Sequence, residues 1–198
     1  NSGSDACEKL EWNILDRVIT EKKKLWGSCF TVITGGEPLV YKSQEKTIFD
    51  LAEKHSDQLF MFYTHGTLID QKVVDRLNEL GNLTPAVSIE GYEKETDERR
   101  GKGTYKKIMT AMKLLRDNKI GFGISVTATK LNAELLSEDK IYDYYFQKCG
   151  ASYAWMFQYM PIGRKKTLDL LVTPQQRLKL FRTVKHLIKD KNYFITDF

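Results

Sequence analysis

The chain has 198 residues, enough for one domain with a sizeable core; 41% of them are hydrophobic and 29% charged, an ordinary balance for a globular protein. The net charge is only +5 and the basic residues are spread along the chain, which argues against a nucleic-acid surface. No apolar run approaches the roughly 18–20 residues that a membrane helix needs, and the polar start NSGSDACEKLEW does not read as a secretory signal.

The first predicted element is a helix over 5–26. Its stripe is Leu10, Ile14, Leu15, Val18 and Leu25, the pair Asp5 and Glu8 resembles a capping pattern, and Gly27 suits the stop. CFTVIT (29–34) follows as a short apolar strand. SQEKTIFDLAEKHS (43–56) is helical, with Ile48, Leu51 and Ala52 inward. QLFMFYT (58–64) is a strand, DQKVVDRLNELG (70–81) a helix closed by Gly81, and PAVSIEG (85–91) a strand. The alternation continues with a helix over 104–119, a strand over 120–129, a helix over 132–150 and a strand over 151–160. The helix over 173–191 opens on Thr173-Pro174, and NYFITDF is a candidate last strand. Short apolar strands alternating with helices predict one α/β domain with a parallel sheet, either a barrel, a partial barrel or an open doubly wound sheet.

Chemistry in such folds sits at the carboxyl ends of the strands. These ends read Thr34-Gly35-Gly36-Glu37-Pro38, Thr64-His65-Gly66-Thr67, Ser88-Ile89-Glu90-Gly91, the alternating Ser125, Thr127 and Thr129, and Tyr159-Met160-Pro161-Ile162-Gly163. Glycines let backbone approach a ligand, and a neighbouring carboxylate favours a cation, so TGGEP suits an amino-acid-like ammonium better than a phosphate. Taken alone, Gly-Gly-x-Pro reads more simply as a turn.

The ordered set TGGEPL, YTHGTLI, VSIEGYEKETDERRGKGTYKKIMTAMKLLRDNKIGFGISVTAT and YMPIG resembles the radical S-adenosylmethionine superfamily, in its maturase-like and peptide-modifying branch, over roughly residues 10–165. The resemblance implies a partial (β/α)6 barrel, here expected without its first strand and cluster loop. It implies S-adenosylmethionine as cofactor, with its amino group at Gly35, Gly36, Glu37 and Pro38 beside Thr64 and Gly66. Ser88, Glu90, Ser125, Thr127, Met160 and Gly163 are then expected along its ribose, carboxylate and adenine. The parent protein would be an iron–sulfur oxidoreductase that uses a [4Fe-4S] cluster to form a 5′-deoxyadenosyl radical and abstract hydrogen from a peptide or small molecule.

Two departures stand out. The family's Thr-Asn-Gly reads Thr64-His65-Gly66, leaving His65 as a turn residue or a proton-transfer group. The cluster motif C-x3-C-x2-C is absent: Cys7, Cys29 and Cys149 are scattered, so no metal is expected in this chain, and the pattern fits a reducing, cytoplasmic setting. Asn1 in place of an initiator Met then suggests a core-domain fragment inactive alone. The alternative is a cluster-less scaffold or binding module; a lyase or aldolase is the third possibility, but it needs a Schiff-base Lys or a metal at a strand end, and no rim offers such a Lys, Lys130 lying just past one. Arg99 and Arg100 either clamp a carboxylate of cofactor or substrate or pair locally with Glu95, Asp97 and Glu98. The strand at 29–34 is expected to pair through its free edge with a second copy, or to be covered by NYFITDF.

Overall fold

The computed structural model describes residues 9–162 and 167–197. Six strands form one parallel sheet in simple chain order: β1 (Phe30–Ile33), β2 (Leu59–Thr64), β3 (Leu83–Ile89), β4 (Gly123–Ala128), β5 (Tyr153–Gln158) and β6 (Ile195–Asp197). The helices between them are α1 (Trp12–Trp26), α2 (Ile48–Lys54), α3 (Gln71–Leu80), α4 (Glu93–Arg100), α5 (Thr104–Asp117), α6 (Asp139–Asp143) and α7 (Pro174–Lys191).

Side-chain alternation along the strands divides the sheet into two faces. Phe60, Phe62, Val87, Ile89, Ile124, Val126, Ala154 and Met156 are buried in the main core with Ile48, Leu51, Val74, Leu77, Ile108, Met112, Leu115 and Leu180 of the helices. The alternate residues lie on the other face, and their contacts show how far it is curled. Tyr63 of β2 meets Phe157 of β5 with ring centroids 5.5 Å apart, edge to face, although two strands separate them. At the amino end, the Tyr153 hydroxyl of β5 skips β4 to reach Thr84 Oγ1 of β3 at 3.0 Å and donates to the Pro85 carbonyl at 3.1 Å. It crosses at Gly123, where a Cβ would fall 2.1 Å from the Tyr153 ring. The sheet is a curled half-barrel with helices outside, the expected partial barrel.

Local chemistry sets the helix ends. Gly27 and Gly81 close α1 and α3 in the left-handed conformation, Asp70 accepts the Val73 N–H at the start of α3, and Thr173 and Gln176 form a capping box on α7, with Pro174 as its first residue.

Four expectations need correction. The predicted α1 stripe is largely outside: Leu10 is 58% exposed and Leu25 66%, with Ile14 and Val18 also exposed. Of the predicted stripe Leu15 does turn inward, and it does so with Trp12 and Ile19, which that stripe omits. Asp5 and Glu8 lie outside the described residues. The segment 95–103 holds a helix that no apolar periodicity announces, because α4 reads EKETDERR and is held by polar caps. The segment 132–150 is broken into a 3-10 turn, the five-residue α6 and a π-turn at Tyr144–Lys148. NYFITDF supplies β6 on β5, the opposite edge from β1, so it does not cover β1, whose Phe30 and Val32 are exposed.

Candidate functional site at the carboxyl rim

After β1 the chain runs through Gly35 and Gly36 into Glu37 and a single 3-10 turn, Pro38–Val40, with Pro38 buried. Gly35 has φ +145°, a conformation that disfavours other residues, and a Cβ on Gly35 or Gly36 would have no atom within 4 Å. Both glycines therefore present exposed main chain to open space.

The Glu37 side chain is only 9% exposed. Its Oε1 accepts from Thr64 Oγ1 at 2.8 Å and from the Leu39 N–H at 3.2 Å. Its Oε2 accepts from the His65 N–H at 2.8 Å and lies 3.2 Å from His65 Nε2. The Thr64 hydroxyl oxygen in turn accepts from the Gly66 N–H at 3.0 Å. Gly66 is left-handed, φ +76°, and buried against Val87, where a Cβ would come within 2.8 Å of Cγ1.

His65 fills the role of a turn-forming asparagine. Its Nδ1 accepts from the Thr67 N–H at 3.2 Å, the bond an Asx turn makes to the residue two positions on. His65 is not left-handed, as a turn asparagine there was expected to be; the left-handed residue is Gly66, and His65 serves the turn through its side chain.

On the next strands, Ser88 and Ser125 are register partners and their hydroxyls share a hydrogen bond of 3.0 Å facing the hollow. Thr127, one pleat further, is partly exposed. Thr129 differs: its hydroxyl donates to Asn132 Oδ1 and it is buried.

Glu90 is 1% exposed, and its carboxylate is occupied. Arg100 donates to Oε1 through Nε at 3.0 Å and Nη2 at 2.6 Å, while Arg99 Nη1 donates to Oε2 at 2.5 Å. The two arginines therefore pair with Glu90 rather than with Glu95, Asp97 or Glu98. Asp97 instead accepts the N–H groups of Tyr105 and Gly103, which hold its carboxyl below the usual range. Met160 is exposed at the rim, and Gly163 lies outside the described residues.

Sequence reasoning missed two contributors. Asn132 is 4% exposed and ties the ends of β3 and β4 together: its Nδ2 donates to the Glu90 and Thr127 carbonyls while Oδ1 accepts from the Thr129 N–H. The signal was the Thr129-x-x-Asn132 spacing of a side-chain cap. The other is the aromatic floor of Tyr63, Trp155 and Phe157, readable as alternate aromatics along β5. Burial pushes the Tyr63 phenol up to about 12, so it stays protonated.

The rim suits an amino-acid-bearing nucleoside: open glycyl main chain at one end, paired hydroxyls beyond it, and aromatic rings below. The described cysteines do not converge on a four-iron cluster, and Cys7 lies outside the described residues. Cys29 sits just before β1 and the buried Cys149 before β5, both at the amino ends of the strands, away from the rim. Among the described residues no three His, Cys, Asp or Glu side chains converge as metal ligands.

The Radical SAM superfamily profile matches residues 5–142. The chain belongs to the radical SAM superfamily. It is 29% identical over 147 residues to the AdoMet-dependent heme synthase of Methanosarcina barkeri (strain Fusaro / DSM 804), covering 72% of this chain and 40% of that protein. It is 23% identical over 182 residues to the sporulation killing factor maturation protein SkfB of Bacillus subtilis (strain 168), covering 88% of this chain and 42% of that one. The fold matches anSMEcpe with bound AdoMet, with TM-score 0.69, 20% identity and coverage of 92% of this chain and 53% of that one. It also matches Streptococcus suis SuiB bound to its precursor peptide SuiA, with TM-score 0.72, 14% identity and coverage of 100% and 44%. The chain thus spans about half the length of these proteins or less. Among the described residues no helix is long and apolar enough to cross a membrane.

Proposed function

We propose that this chain is the S-adenosylmethionine-holding core of a radical SAM enzyme acting on a peptide or small molecule. The observation that carries the reading is the Gly35–Gly36 turn, exposed and open where side chains would otherwise stand. On this reading the main chain of Gly35 and Gly36 meets the amino group of the methionyl part. Glu37 and Pro38 hold that turn on Thr64 and Gly66. Ser88, Ser125 and Thr127 offer hydroxyls to the ribose and carboxylate, and Met160 closes over the adenine.

Glu90 acts through others: it fixes Arg99 and Arg100 beside the rim, where their remaining N–H groups offer donors to a carboxylate of cofactor or substrate. When bound, S-adenosylmethionine supplies the 5′-deoxyadenosyl group for hydrogen abstraction. This chain's residues bind it, orient its sulfonium and screen the hollow from water. A peptide substrate is supported by the likeness of fold to SuiB bound to precursor peptide SuiA.

The scattered cysteines favour a second reading, a cluster-less binding module of the same fold. The exposed outer edge of β1 supports pairing with a second copy of this chain. The experiment is an amide chemical-shift titration with S-adenosylmethionine. Shifts concentrated at Gly35, Gly36, Ser88 and Ser125 are expected; shifts confined to other surfaces would refute the site.

A further inference from the structure

Away from the rim, α5 and the π-turn at Tyr144–Lys148 frame a cavity of about 310 Å³, open to solvent and set toward the amino ends of β4 and β5. Its floor is apolar and rich in sulfur. Met112 is fully buried, Cys149 is 5% exposed, and Met109 and the Tyr144 ring are half-buried beside them. Burial pushes the Cys149 thiol up, so this wall stays neutral. The Tyr144 ring is held edge-on by Tyr92 and Tyr145, with centroids 5.5 and 5.2 Å away, so its wall is preformed. The π-turn makes the floor. Its bond from the Cys149 N–H to the Tyr144 carbonyl, 3.0 Å, spans five residues and brings Cys149 back to the Tyr144 face; α-helical winding would turn Cys149 away. The mouth is cationic. Lys113, Arg116 and Lys148 stand exposed around it. Asp117 pairs with the first two, and Arg116 also donates to the Lys148 carbonyl at 2.8 Å, which fixes its guanidinium. The Lys148 ammonium has no partner among the described residues.

We propose that this cavity binds a small aryl carboxylate, its ring on the Met109 and Met112 thioethers beside Tyr144 and its carboxylate among Lys113, Arg116 and Lys148. The size is at the lower end of small-ligand sites and admits one ring. Thioethers pack well against aromatic rings, which favours an aryl group over an alkyl chain. Three cations sharing one carboxylate over an apolar floor leave charge for one more, and Arg116 and Lys148 supply charge-assisted donors to it. The site is separate from the carboxyl rim and does not depend on what the rim holds.

Methionine-methyl spectra test the site, because the chain has five methionines and two of them line this cavity. On titration with phenylacetate, the Met109 and Met112 methyls should shift and saturate with a Kd of about 1 mM, the scale for a ligand of this size, while Met61, Met156 and Met160 stay in place. Phenylacetamide, which lacks the charge, and acetate, which lacks the ring, should each bind at least about tenfold more weakly. Lys148→Glu alters an exposed side chain, so the fold should stand; it should weaken phenylacetate about tenfold and leave phenylacetamide unchanged. No shift at Met109 and Met112, or shifts led by Met160 at the rim, overturns the site. Phenylacetamide binding as tightly as phenylacetate, or Lys148→Glu binding phenylacetate like wild type, overturns the carboxylate. Acetate moving the same two methyls at the same concentration overturns the aryl group.

Discussion

Replacing Glu90 with glutamine probes how the third strand end is held. Glu90 is the anchor for two guanidinium groups, bidentate from Arg100 and single from Arg99. Glutamine keeps one acceptor oxygen, which Arg100 can still use, but turns an N–H2 group toward Arg99 and removes the charge. Charge-assisted hydrogen bonds contribute about 1.5–3 kcal/mol each when water is excluded. Here the arginine side chains are 42% and 27% exposed, so the loss is discounted for screening. The expected destabilisation is about 2–3 kcal/mol, or about 5–10 °C in Tm for a chain of this size. Urea unfolding should show a lower midpoint at unchanged slope. Arg99→Ala alone should cost about 1 kcal/mol or less, because its partner retains Arg100. A Glu90→Gln variant within about 0.5 kcal/mol of wild type would mean that the double pair is a surface contact, and the argument for an anchored arginine pair would fail.

Other outcomes follow from the same geometry. Gly66→Ala puts a Cβ 2.8 Å from Val87 at positive φ, and should destabilise by about 2–4 kcal/mol in denaturant unfolding. Tyr153→Phe removes the hydroxyl that spans β3 and β5, and should cost about 1 kcal/mol without affecting nucleoside binding at the opposite rim. His186 is raised by hydrogen bonds to Asp190 and Asp139, so its contribution is present below about pH 6.5 and is lost as pH rises through the folded value. The Tm difference between wild type and His186→Gln should accordingly shrink on going from pH 6 to higher pH. If β1 pairs with a second copy, Val32→Lys should shift sedimentation from dimer to monomer; a monomeric wild type refutes that pairing.

The alternation of strand and helix was legible because each strand is a short apolar run bounded by glycine or polar turns, as with FTVI before Thr34-Gly35-Gly36. Five strands and a candidate sixth were anticipated to within a few residues, although Pro85, which lacks an N–H, masked the true start of β3 at Leu83. Two things were hidden. The α1 sequence carries apolar residues on two stripes, and periodicity alone cannot say which one meets the sheet. Helix α4 has no stripe at all, so its existence depends on tertiary partners: Glu90 for its arginines, and the buried Thr96 hydroxyl accepting the Glu90 N–H.

At the site, motif spacing located Gly35, Gly36, Glu37, Thr64, Ser88 and Ser125 at one rim. It could not show that Glu37 and Glu90 turn their carboxylates inward onto Thr64, His65, Arg99 and Arg100, because hydrogen-bond saturation is a property of the folded arrangement. Nor could it show that His65 serves the turn through Nδ1.

The measurement that bears most directly on the central claim uses Gly36. Its backbone is not left-handed, and nothing lies within 4 Å of where a Cβ would stand. A valine there fits the fold and fills only the space assigned to the methionyl end of S-adenosylmethionine. Titration calorimetry of wild type and Gly36→Val with S-adenosylmethionine, alongside their melting temperatures, should show binding by the first, none by the second, and closely similar melting. Equal binding by both proteins would place the cofactor elsewhere and contradict the account.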